Sequence, residues 1–421
     1  PTGYVTTGLG AAVSMGSTGF IVPSDFICET GETRTIDGIE IEFQMTPGTE
    51  APAEFVFYLP AFKALCMAEI TSHHLHNVYT PRGAQVRDAL AWSNQINESI
   101  DLFGHRIDVQ FASHHWPIWG QADAIEYLEK QRDLYKYIHD QTLRLANNGY
   151  TKEEIAEQVH LPDSLGQEFY NRDYYGTVHH NCRAVYVKYL GFFDGNPSTL
   201  YQLPPVEQAK RYMNFMGGAD AVVEKAQASF DAGDYRWVAE VLNHVVMSDP
   251  DHIAGRALLA DTLEQLGYQS ESAPWRNFYL CGTLELRQGL PETKAFQASG
   301  GIAAGMPLEN FFQTLAVRLL PAAADGLAVS ILLNLTDMDD NYLVTIKNSV
   351  FNFFKNKDIA ADTTLTIASA DFKKLIMGIT DGPSLMSDNK LEISGDLAVM
   401  LNFSQLFDQF PRRFPLVTPR D

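Results

Sequence analysis

The hydrophobic pattern of this chain changes period twice, near Gln121 and near Glu292. Before Gln121, short apolar runs such as Ala64–Ala68 and Ile107–Phe111 indicate strands. From Gln121 onward, long runs of helical period such as AIEYLEKQRDLYKYIHDQTLRLANNG recur and end at Gly or Pro. Beyond Glu292, helix and strand patterns are mixed. The 421 residues are enough for several cores, and we predict domains at residues 1–120, 121–289 and 290–421.

The helical region contains paired helices within residues 219–289. Turns near Gly233 and Pro250 divide them into hairpins of tetratricopeptide type. These units are too few for a solenoid, so their apolar faces are expected to pack on another domain or subunit. A further helix is predicted at 172–189, and its polar residues allow two interpretations, the rim of an active site or a hydrogen-bonded seam between domains. These residues are Tyr174, Tyr175, His179, His180 and Asn181.

The last region predicts an α+β domain. One helix carries an apolar face made of Leu308, Phe311, Phe312, Leu315 and Leu319. The predicted strands are LAVSILLNL, NYLVTIKN, TTLTIAS and KLEISG, and two further helices fit DFKKLIMGI and DLAVMLNFSQLFDQF. The Phe and Leu stripes are interpreted chiefly as core. The alternative is that they receive alkyl chains, to which Phe103, Trp116 and Trp119 can also contribute.

Two carboxylates and a histidine follow consecutive predicted strands near the beginning of the chain. They are Glu50 in TPGTEAPAE, Glu69 in ALCMAE and His114 in QFASHHWPIWG. A carboxylate at the end of a buried strand is unfavourable unless a cation or a hydrogen-bond donor meets it. Each residue alone can be an ordinary polar residue near the surface. Three at successive strand ends favour a site for catalytic metal ions.

The segment HHLHNVYTPRGAQVRDALAW lies between Glu69 and His114. Its Pro-Arg-Gly turn, followed by a helix that opens near Gly83, can present the Arg82 guanidinium to an oxyanion. Asn77 can add an amide donor. The histidines of this region can bind metal, but supporting or solvent-facing roles are at least as common, and His114 has the best position among them. The others are His73, His74, His76 and His115.

Three longer stretches resemble the zinc-dependent alkylsulfatases, which belong to the metallo-β-lactamase superfamily. They are HNVYTPRGAQVRDALAW, ASHHWPIWG and the segment YYGTVHHNCRAVYVKYLGFFDGNPSTLYQLPP at 174–205. The resemblance implies an α/β region that is the second half of a metallo-β-lactamase αββα domain, then an α-helical dimerisation domain. It implies a sterol-carrier-protein-like α+β domain with an apolar tunnel at the end of the chain. It also implies a homodimer.

The resemblance further implies the roles of individual residues. Glu50 matches a ligand of one zinc ion, Glu69 the carboxylate shared by two zinc ions, and His114 a ligand of the second. Asn77 and Arg82 match residues that hold the sulfate group of the substrate, and Glu69 and Arg82 are taken as catalytic. The implied reaction is hydrolysis of an alkyl sulfate ester, such as dodecyl sulfate, to an alcohol and inorganic sulfate.

One family motif, an upstream His-x-His-x-Asp-His cluster of metal ligands, does not occur in these residues. We therefore expect the chain to be the C-terminal portion of a longer enzyme, with an upstream portion as its partner. The chain alone is then expected to hold two zinc ions poorly and to be inactive. Related bacterial enzymes are exported, which makes the periplasm or the cell exterior the expected location.

Two alternatives of function stay open. In one, the chain is a dimeric lipid- or detergent-binding scaffold with an incomplete, inactive metal site. In the other, the same fold acts on phosphate esters, which also suit two metal ions and an arginine.

Composition excludes some partners. The formal net charge is −21 and no polybasic stretch occurs, so a nucleic-acid partner is not expected. An acidic surface also repels anionic substrates, so attraction must be local. No run of 18 apolar residues occurs, and we predict no membrane span. The four cysteines lack C-x-x-C spacing and are interpreted as small buried residues without a disulfide framework.

Overall fold

The computed structural model describes residues 5–8, 10, 16, 19–290, 301–357, 359–396, 403–411 and 413–420. The chain divides into two compact units. Unit 1 comprises Pro1–Val13, Phe26–Pro291 and Pro415–Asp421, and unit 2 comprises Ser14–Asp25 and Glu292–Phe414. Both units contain helices and strands, which agrees with the predicted mixed class of α/β, α and α+β regions. The division within unit 1 near residue 120 stays a prediction.

Unit 1 contains one sheet and ten helices among its described residues. The strands are β1 (Thr33–Ile36), β2 (Ile39–Met45), β3 (Phe55–Leu59), β4 (Ala64–Cys66), β5 (Val109–Phe111) and β6 (Ile118–Trp119). The helices are α1 (Ala89–Phe103), α2 (Gln121–Ala146), α3 (Lys152–Gln158), α4 (Asp163–Gly166), α5 (Val178–Leu190), α6 (Pro205–Phe215), α7 (Ala219–Asp231), α8 (Tyr235–Ser248), α9 (Ile253–Gln269) and α10 (Ala273–Gln288).

The sheet of unit 1 follows chain order from β1 to β6. Neighbouring strands are antiparallel except β4 and β5, which are parallel. A parallel pair needs a long crossover connection, and here α1 lies within it. The loops that follow β4 and β5 therefore leave the same edge of the sheet. Those loops carry Glu69 and His114.

Helix α1 begins later than predicted. The sequence favoured an opening near Gly83, but Gly83 has φ +100° and its N–H donates to the Thr80 carbonyl in a turn. The helix begins at Ala89, where the Asp88 carboxylate accepts hydrogen bonds from the N–H groups of Leu90 and Ala91 at 3.0 Å. This N-cap compensates helix N–H groups that have no partner within the helix.

Helices form most of the remaining core of unit 1. The predicted end of α2 is confirmed, because Asn147 caps the helix and Gly149 has φ +88°. The hairpin turns are also confirmed, since Gly233 lies between α7 and α8 and Pro250 between α8 and α9. The helix predicted at 172–189 was wrong at its start. Helix α5 begins only at Val178, whose N–H donates to the Asp173 carboxylate across the preceding turn.

Unit 2 contains a five-stranded sheet with helices. Its strands are β7 (Ala328–Leu335), β8 (Asn341–Lys347), β9 (Val350–Lys355), β10 (Thr363–Ile367) and β11 (Leu391–Gly395). Its helices are α11 (Gly301–Gly305), α12 (Leu308–Ala316), α13 (Pro321–Ala324), α14 (Ser369–Ile376) and α15 (Gly382–Ser387). The strand order is β11-β10-β7-β8-β9, with β10 and β7 parallel and the other neighbours antiparallel.

The four predicted strands of unit 2 are confirmed, and β9 was missed. A two-residue turn, Asn348-Ser349, joins β8 to β9 with φ near +55° at both residues. This is hairpin geometry, but the sequence lacks the Asn-Gly signal that usually predicts it. Four residues of the predicted apolar face of α12 are buried, whereas Leu319 lies beyond the helix. Most of the helix predicted at 396–410 lies outside the described residues or is extended, and Phe403–Leu406 forms a single 3-10 turn.

Across the described ranges, no helix combines the length and apolar character needed to cross a membrane. All four cysteines are free. Cys66 and Cys182 are buried as expected, but Cys28 is exposed, which contradicts the interpretation that all four are buried.

Candidate metal centre

Glu69 and His114 meet because β4 and β5 are parallel neighbours. The Met67 N–H donates to the Phe111 carbonyl, and the Ser113 N–H donates to the Ala68 carbonyl, both at 2.8 Å. These bonds hold the two loops side by side beyond the strands. The His114 Nε2 atom then contacts a carboxylate oxygen of Glu69 directly. The predicted pairing of these two residues at neighbouring strand ends is therefore present.

Glu50 reaches the same place from the loop between β2 and β3. Its main-chain carbonyl accepts a 2.6 Å hydrogen bond from Arg87 Nε, and its carboxylate forms an ion pair with Arg87 Nη2. Glu54 ties this loop to the next, because its carboxylate accepts from the N–H groups of Ala51 at 3.0 Å and Glu69 at 3.2 Å. Burial raises the pKa of the Glu54 carboxyl, and the nearby charges of Glu50 and Glu69 raise it further.

A third donor near the two carboxylates comes from His76. One ligand atom each from Glu50, Glu69 and His76 lies within 4.8 Å of the other two. His76 Nδ1 lies 3.0 Å from the Asn77 carbonyl oxygen. Because a carbonyl only accepts, Nδ1 must carry the proton, and Nε2 keeps its lone pair. Burial lowers the pKa of His76 to about 3, helped by the positive charge of Arg87, so the ring is neutral at pH 7.

These donors fit a zinc ion. Zinc binds carboxylate oxygen and neutral imidazole nitrogen, and a ligating histidine usually donates its other N–H to a carbonyl or carboxylate. Two carboxylates so close together repel each other unless a cation or protons lie between them. The donor set therefore has a composition, a charge and a tautomer that suit a metal ion such as zinc.

The side-chain amide of Asn77 uses its oxygen in a hydrogen bond, whereas its nitrogen has no partner among the described residues. Its Oδ1 accepts from Arg87 Nη1 at 2.6 Å, and its main-chain carbonyl accepts from the same atom at 2.9 Å. Its Nδ2 is buried and has no hydrogen-bond partner in the part of the chain that the structure describes. An unpaired buried N–H₂ group is costly, so it is suited to donate to a bound anion.

The arginine that contacts this centre is Arg87. Arg82 is exposed and forms no ion pair with any described residue, although its charge contributes to the lowered pKa of His76. Sequence reasoning singled out Arg82 from the Pro-Arg-Gly turn and missed Arg87, five residues later. One sequence feature could have indicated Arg87. It directly precedes Asp88, the N-cap of α1, and this cap fixes the backbone at Arg87.

The other histidines form a cluster with aromatic rings. His73, His74 and His76 are buried, so the solvent-facing alternative was wrong for them. Burial lowers the pKa of His73 to about 4, and its ring stacks on Tyr127 with centroids 4.9 Å apart. Neither ring nitrogen of His74 has a hydrogen-bond partner in another described residue. His115 Nε2 lies 3.2 Å from the hydroxyl of Tyr174.

The aromatic residues proposed to meet an alkyl chain lie in different environments. Trp116 and Trp119 are exposed, and Trp116 packs against His73 with centroids 5.2 Å apart. Phe103 is fully buried and stacks on Tyr58, so it is ordinary core and cannot contact a substrate.

The geometry thus describes a candidate centre for metal and anion binding, and comparisons with known proteins give the family of the chain. Residues 151–289 match the model of the alkyl sulfatase dimerisation domain, and residues 297–419 match that of the alkyl sulfatase C-terminal domain. A linear primary-alkylsulfatase of Pseudomonas sp. is 46% identical over 99% of this chain and 62% of its own length. Another, from Pseudomonas sp. (strain ATCC 19151), is 33% identical over 96% of this chain and 78% of its own length.

A solved structure gives the same answer. The stereoselective inverting sec-alkylsulfatase Pisa1 from Pseudomonas sp. superimposes with a TM-score of 0.92 at 39% identity, over 95% of this chain and 63% of that one. The chain belongs to the alkylsulfatase family, and the resemblance seen in the sequence is confirmed. It spans less than two thirds of the length of the first relatives that it matches.

Proposed function

We propose that this chain is the larger part of an enzyme that hydrolyses alkyl sulfate esters to an alcohol and inorganic sulfate at a two-zinc site. The observation that carries the proposal is the convergence of Glu50, Glu69 and His76 within 4.8 Å in a member of the alkylsulfatase family. We further propose that an upstream portion of the same protein completes the ligand set. The length of the relatives supports this, since the chain covers 62% of one and 64% of another.

The residues have distinct roles in this proposal. Glu69 is the carboxylate shared by the two metal ions, and Glu50 and His114 each hold one of them. When bound, zinc acts as a Lewis acid and lowers the pKa of water from about 15.7 toward 7, which provides a nucleophile at neutral pH. Asn77 Nδ2 and the Arg82 guanidinium hold the sulfate group. Arg87 fixes both Glu50 and the Asn77 oxygen, which leaves Nδ2 as the donor.

The test is sulfate release from dodecyl sulfate by the complete protein. Glu69→Gln keeps the size of the side chain but removes the charge that attracts both metal ions, so we expect loss of at least 99% of the activity. Glu40→Gln, at an exposed position of β2 in the same sheet, is the matched control and is expected to keep full activity. Wild-type protein without sulfate release, or an active Glu69→Gln variant, contradicts the proposal.

His76 and His114 both place a nitrogen beside the carboxylates, and metal analysis can separate their roles. His76 belongs to the three-residue donor group, and His114 contacts Glu69. We expect His76→Ala and His114→Ala each to lower bound zinc, whereas His105→Ala, at an exposed position, retains it. Full zinc content in either variant removes that histidine from the ligand set.

The class of ester needs its own comparison, because phosphate esters also suit two metal ions and an arginine. We expect dodecyl sulfate to be cleaved faster than dodecyl phosphate. The sulfate carries one negative charge and the phosphate nearly two at pH 7, and the overall charge of −21 disfavours the more anionic ester. Faster cleavage of the phosphate ester assigns the site to phosphate instead.

We propose that the protein is a homodimer formed through its helical region. The match to the dimerisation family model over residues 151–289 supports this. Several large apolar residues in that region are exposed in the isolated chain, namely Leu190, Phe192, Leu200, Tyr201 and Phe215. Exposed apolar groups of this size are typical of an interface. Light scattering should give twice the monomer mass, and a monomer at micromolar concentration contradicts the proposal.

The finer fold assignment is also part of this proposal. We assign the sheet of unit 1 to the second half of a metallo-β-lactamase αββα domain and unit 2 to the sterol-carrier-protein-like class. The parallel β4–β5 pair around α1 supports the first assignment. An experimental structure of the complete protein tests both. The proposed location is the periplasm or the cell exterior, which cell fractionation can test.

A second candidate function is binding of lipid or detergent, and one cavity favours it. Unit 2 contains a cavity of about 570 Å³ lined mainly by apolar side chains, among them Leu315, Ile376, Met377, Leu391, Phe403 and Phe407. Pockets of this size and character hold drug-sized apolar ligands. Stoichiometric binding of dodecanol to a protein that releases no sulfate would favour this function over hydrolysis.

A further inference from the structure

The segment that carries His76 and Asn77 has no regular secondary structure, yet its backbone is buried. Buried backbone groups need partners, and here other elements supply them. The His76 N–H donates to the hydroxyl of Tyr135 on α2 at 3.1 Å. Arg87 donates to the carbonyls of Asn77 and Val78, both at 2.9 Å. Further partners come from residues 176 and 181, about one hundred positions later in the chain.

Asn181 on α5 binds this segment with both ends of its side-chain amide. The Val78 N–H donates to Asn181 Oδ1 at 2.8 Å, and Asn181 Nδ2 donates to the His76 carbonyl at 3.0 Å. Asn181 is fully buried, so water does not compete for either bond. The reversed amide would place donor against donor and acceptor against acceptor. The side chain therefore fixes the peptide groups on both sides of Asn77.

Gly176 makes a second contact with the same segment. Its N–H donates to the Leu75 carbonyl at 2.8 Å. A Cβ atom at Gly176 would lie 2.7 Å from Asn77 N and from the carbonyl carbon and oxygen of His76. Such distances are well below van der Waals contact, so any larger residue must displace the backbone of His76 and Asn77. Glycine is required here by the close approach of two main chains.

We propose that Asn181 and Gly176 are positioning residues that set the backbone of residues 75–78 and thereby aim Asn77 Nδ2 at the anion. Neither residue touches the anion or the metal ions. The identification of the anion as the sulfate group rests on the proposed function. The contacts of Asn181 and Gly176 with residues 75–78 do not depend on it. The sequence left two interpretations open for the polar residues near 174–181, the rim of an active site or a hydrogen-bonded seam between domains. In this proposal Asn181 acts through hydrogen bonds of the second kind, to residues 76 and 78, and not at the rim.

Hydrogen exchange tests the positioning directly. Asn181→Ala removes both amide bonds, so we expect exchange of the Val78 N–H to accelerate at least tenfold. Asn171→Ala is a matched control. Asn171 is also fully buried and uses both ends of its amide, donating to the Leu165 carbonyl at 3.0 Å and accepting from Gln131 at 2.8 Å, and neither of these bonds involves residues 75–78. Equal exchange at Val78 in the two variants overturns the proposal.

Kinetics of the complete, zinc-loaded protein on dodecyl sulfate give a second readout. Displacement of Asn77 weakens a hydrogen bond to the anion, so we expect Asn181→Ala to raise KM about tenfold with a smaller change in kcat, and to weaken binding of inorganic sulfate by a similar factor. Asn171→Ala should lower thermal stability without this KM change.

Gly176→Ala provides a second test if Asn181→Ala does not fold. It keeps the Asn181 side chain but displaces the His76–Asn77 peptide, and we expect the same rise in KM. Gly166→Ala is its control, because a Cβ there meets its nearest neighbour, Leu161 Cβ, at an ordinary 3.4 Å. Unchanged KM in Gly176→Ala overturns the proposal. If the wild type releases no sulfate, the proposed function fails, and hydrogen exchange still decides the positioning role.

Discussion

Arg87 holds the side chain of Asn77 by a 2.6 Å hydrogen bond from Nη1 to Oδ1. The same guanidinium forms an ion pair with Glu50, so one planar group links the proposed metal-binding carboxylate to the proposed anion-binding amide. Because Oδ1 is occupied, Asn77 offers only its N–H₂ group to a ligand. The relative placement of metal and sulfate therefore depends on an arginine that is itself proposed to bind neither.

Arg87→Lys should uncouple these two functions. Lysine keeps the positive charge but cannot bond Glu50 and Asn77 from one rigid fork, so we expect kcat/KM to fall about 10- to 100-fold, or about 1.5–3 kcal/mol. Arg106→Lys is the control, since Arg106 also uses both Nη atoms, donating to the two carboxylate oxygens of Glu42 at 2.9 and 3.0 Å, outside the site. Equal activity losses in the two variants would show that the effect is structural.

Arg82→Ala tests the role that family resemblance gives to the exposed arginine. Removal of a charged donor from the sulfate group should weaken its binding by about 2–4 kcal/mol, seen chiefly in KM. Arg34→Ala, on β1, removes a partly exposed arginine outside the site and should leave KM unchanged. If Arg82→Ala also has wild-type KM, the guanidinium does not hold the sulfate and Asn77 remains as its donor.

Asp173 should make stability depend on pH. Burial, with a smaller contribution from the charge of Glu271, raises the pKa of its carboxyl to about 6. The folded state then holds a proton that the unfolded state has released, so stability falls as pH rises from about 4 to about 6. Asp173→Asn removes this loss and still accepts from the Val178 N–H. We expect it to stabilise the protein at pH 7 by about 1–2 kcal/mol and to have no such effect at pH 4, measured by urea unfolding. Equal effects at both pH values would contradict this.

Glu285 should anchor residues 416–418 near the end of the chain. Its buried carboxylate accepts from the N–H groups of Leu416, Val417 and Thr418 at 2.7–3.2 Å and from the Thr418 hydroxyl at 2.9 Å. Glu285→Ala leaves these donors without an acceptor, and we expect a loss of about 2–3 kcal/mol together with faster proteolysis after residue 414. Glu224→Ala, at an exposed position on α7, should change neither. Proteolysis at the wild-type rate in Glu285→Ala would contradict the anchoring role.

The sequence predicted most elements that have a strong period or a clear end signal. Helix α2 and the turns at Gly233 and Pro250 are of this kind, as are four strands of unit 2. It failed where a short-range signal was weak. The Asn348-Ser349 hairpin lacks glycine, and α1 begins at the Asp88 cap rather than at the more prominent Gly83.

The site shows the same division. Glu50, Glu69, Asn77 and His114 were identified from strand ends and from family motifs, and the structure brings them together with His76. The role of Arg87 could not be predicted, because it depends on a guanidinium that reaches back across a turn to two residues 10 and 37 positions earlier. The contacts of Asn181 are more distant still, at separations of 103 and 105 residues. Such contacts are set by tertiary packing, and the hydrophobic periodicity of a sequence does not reveal which distant residues meet.

The zinc content of the complete protein, measured by elemental analysis, tests the central claim most directly. The account predicts two zinc ions per protomer in the wild type and a clear loss in Glu69→Gln, with Asn77→Ala close to the wild type because its amide does not bind metal. Zinc-free wild-type protein, or a Glu69→Gln variant with its full complement of zinc, would contradict a metal centre built on Glu50, Glu69 and the neighbouring histidines.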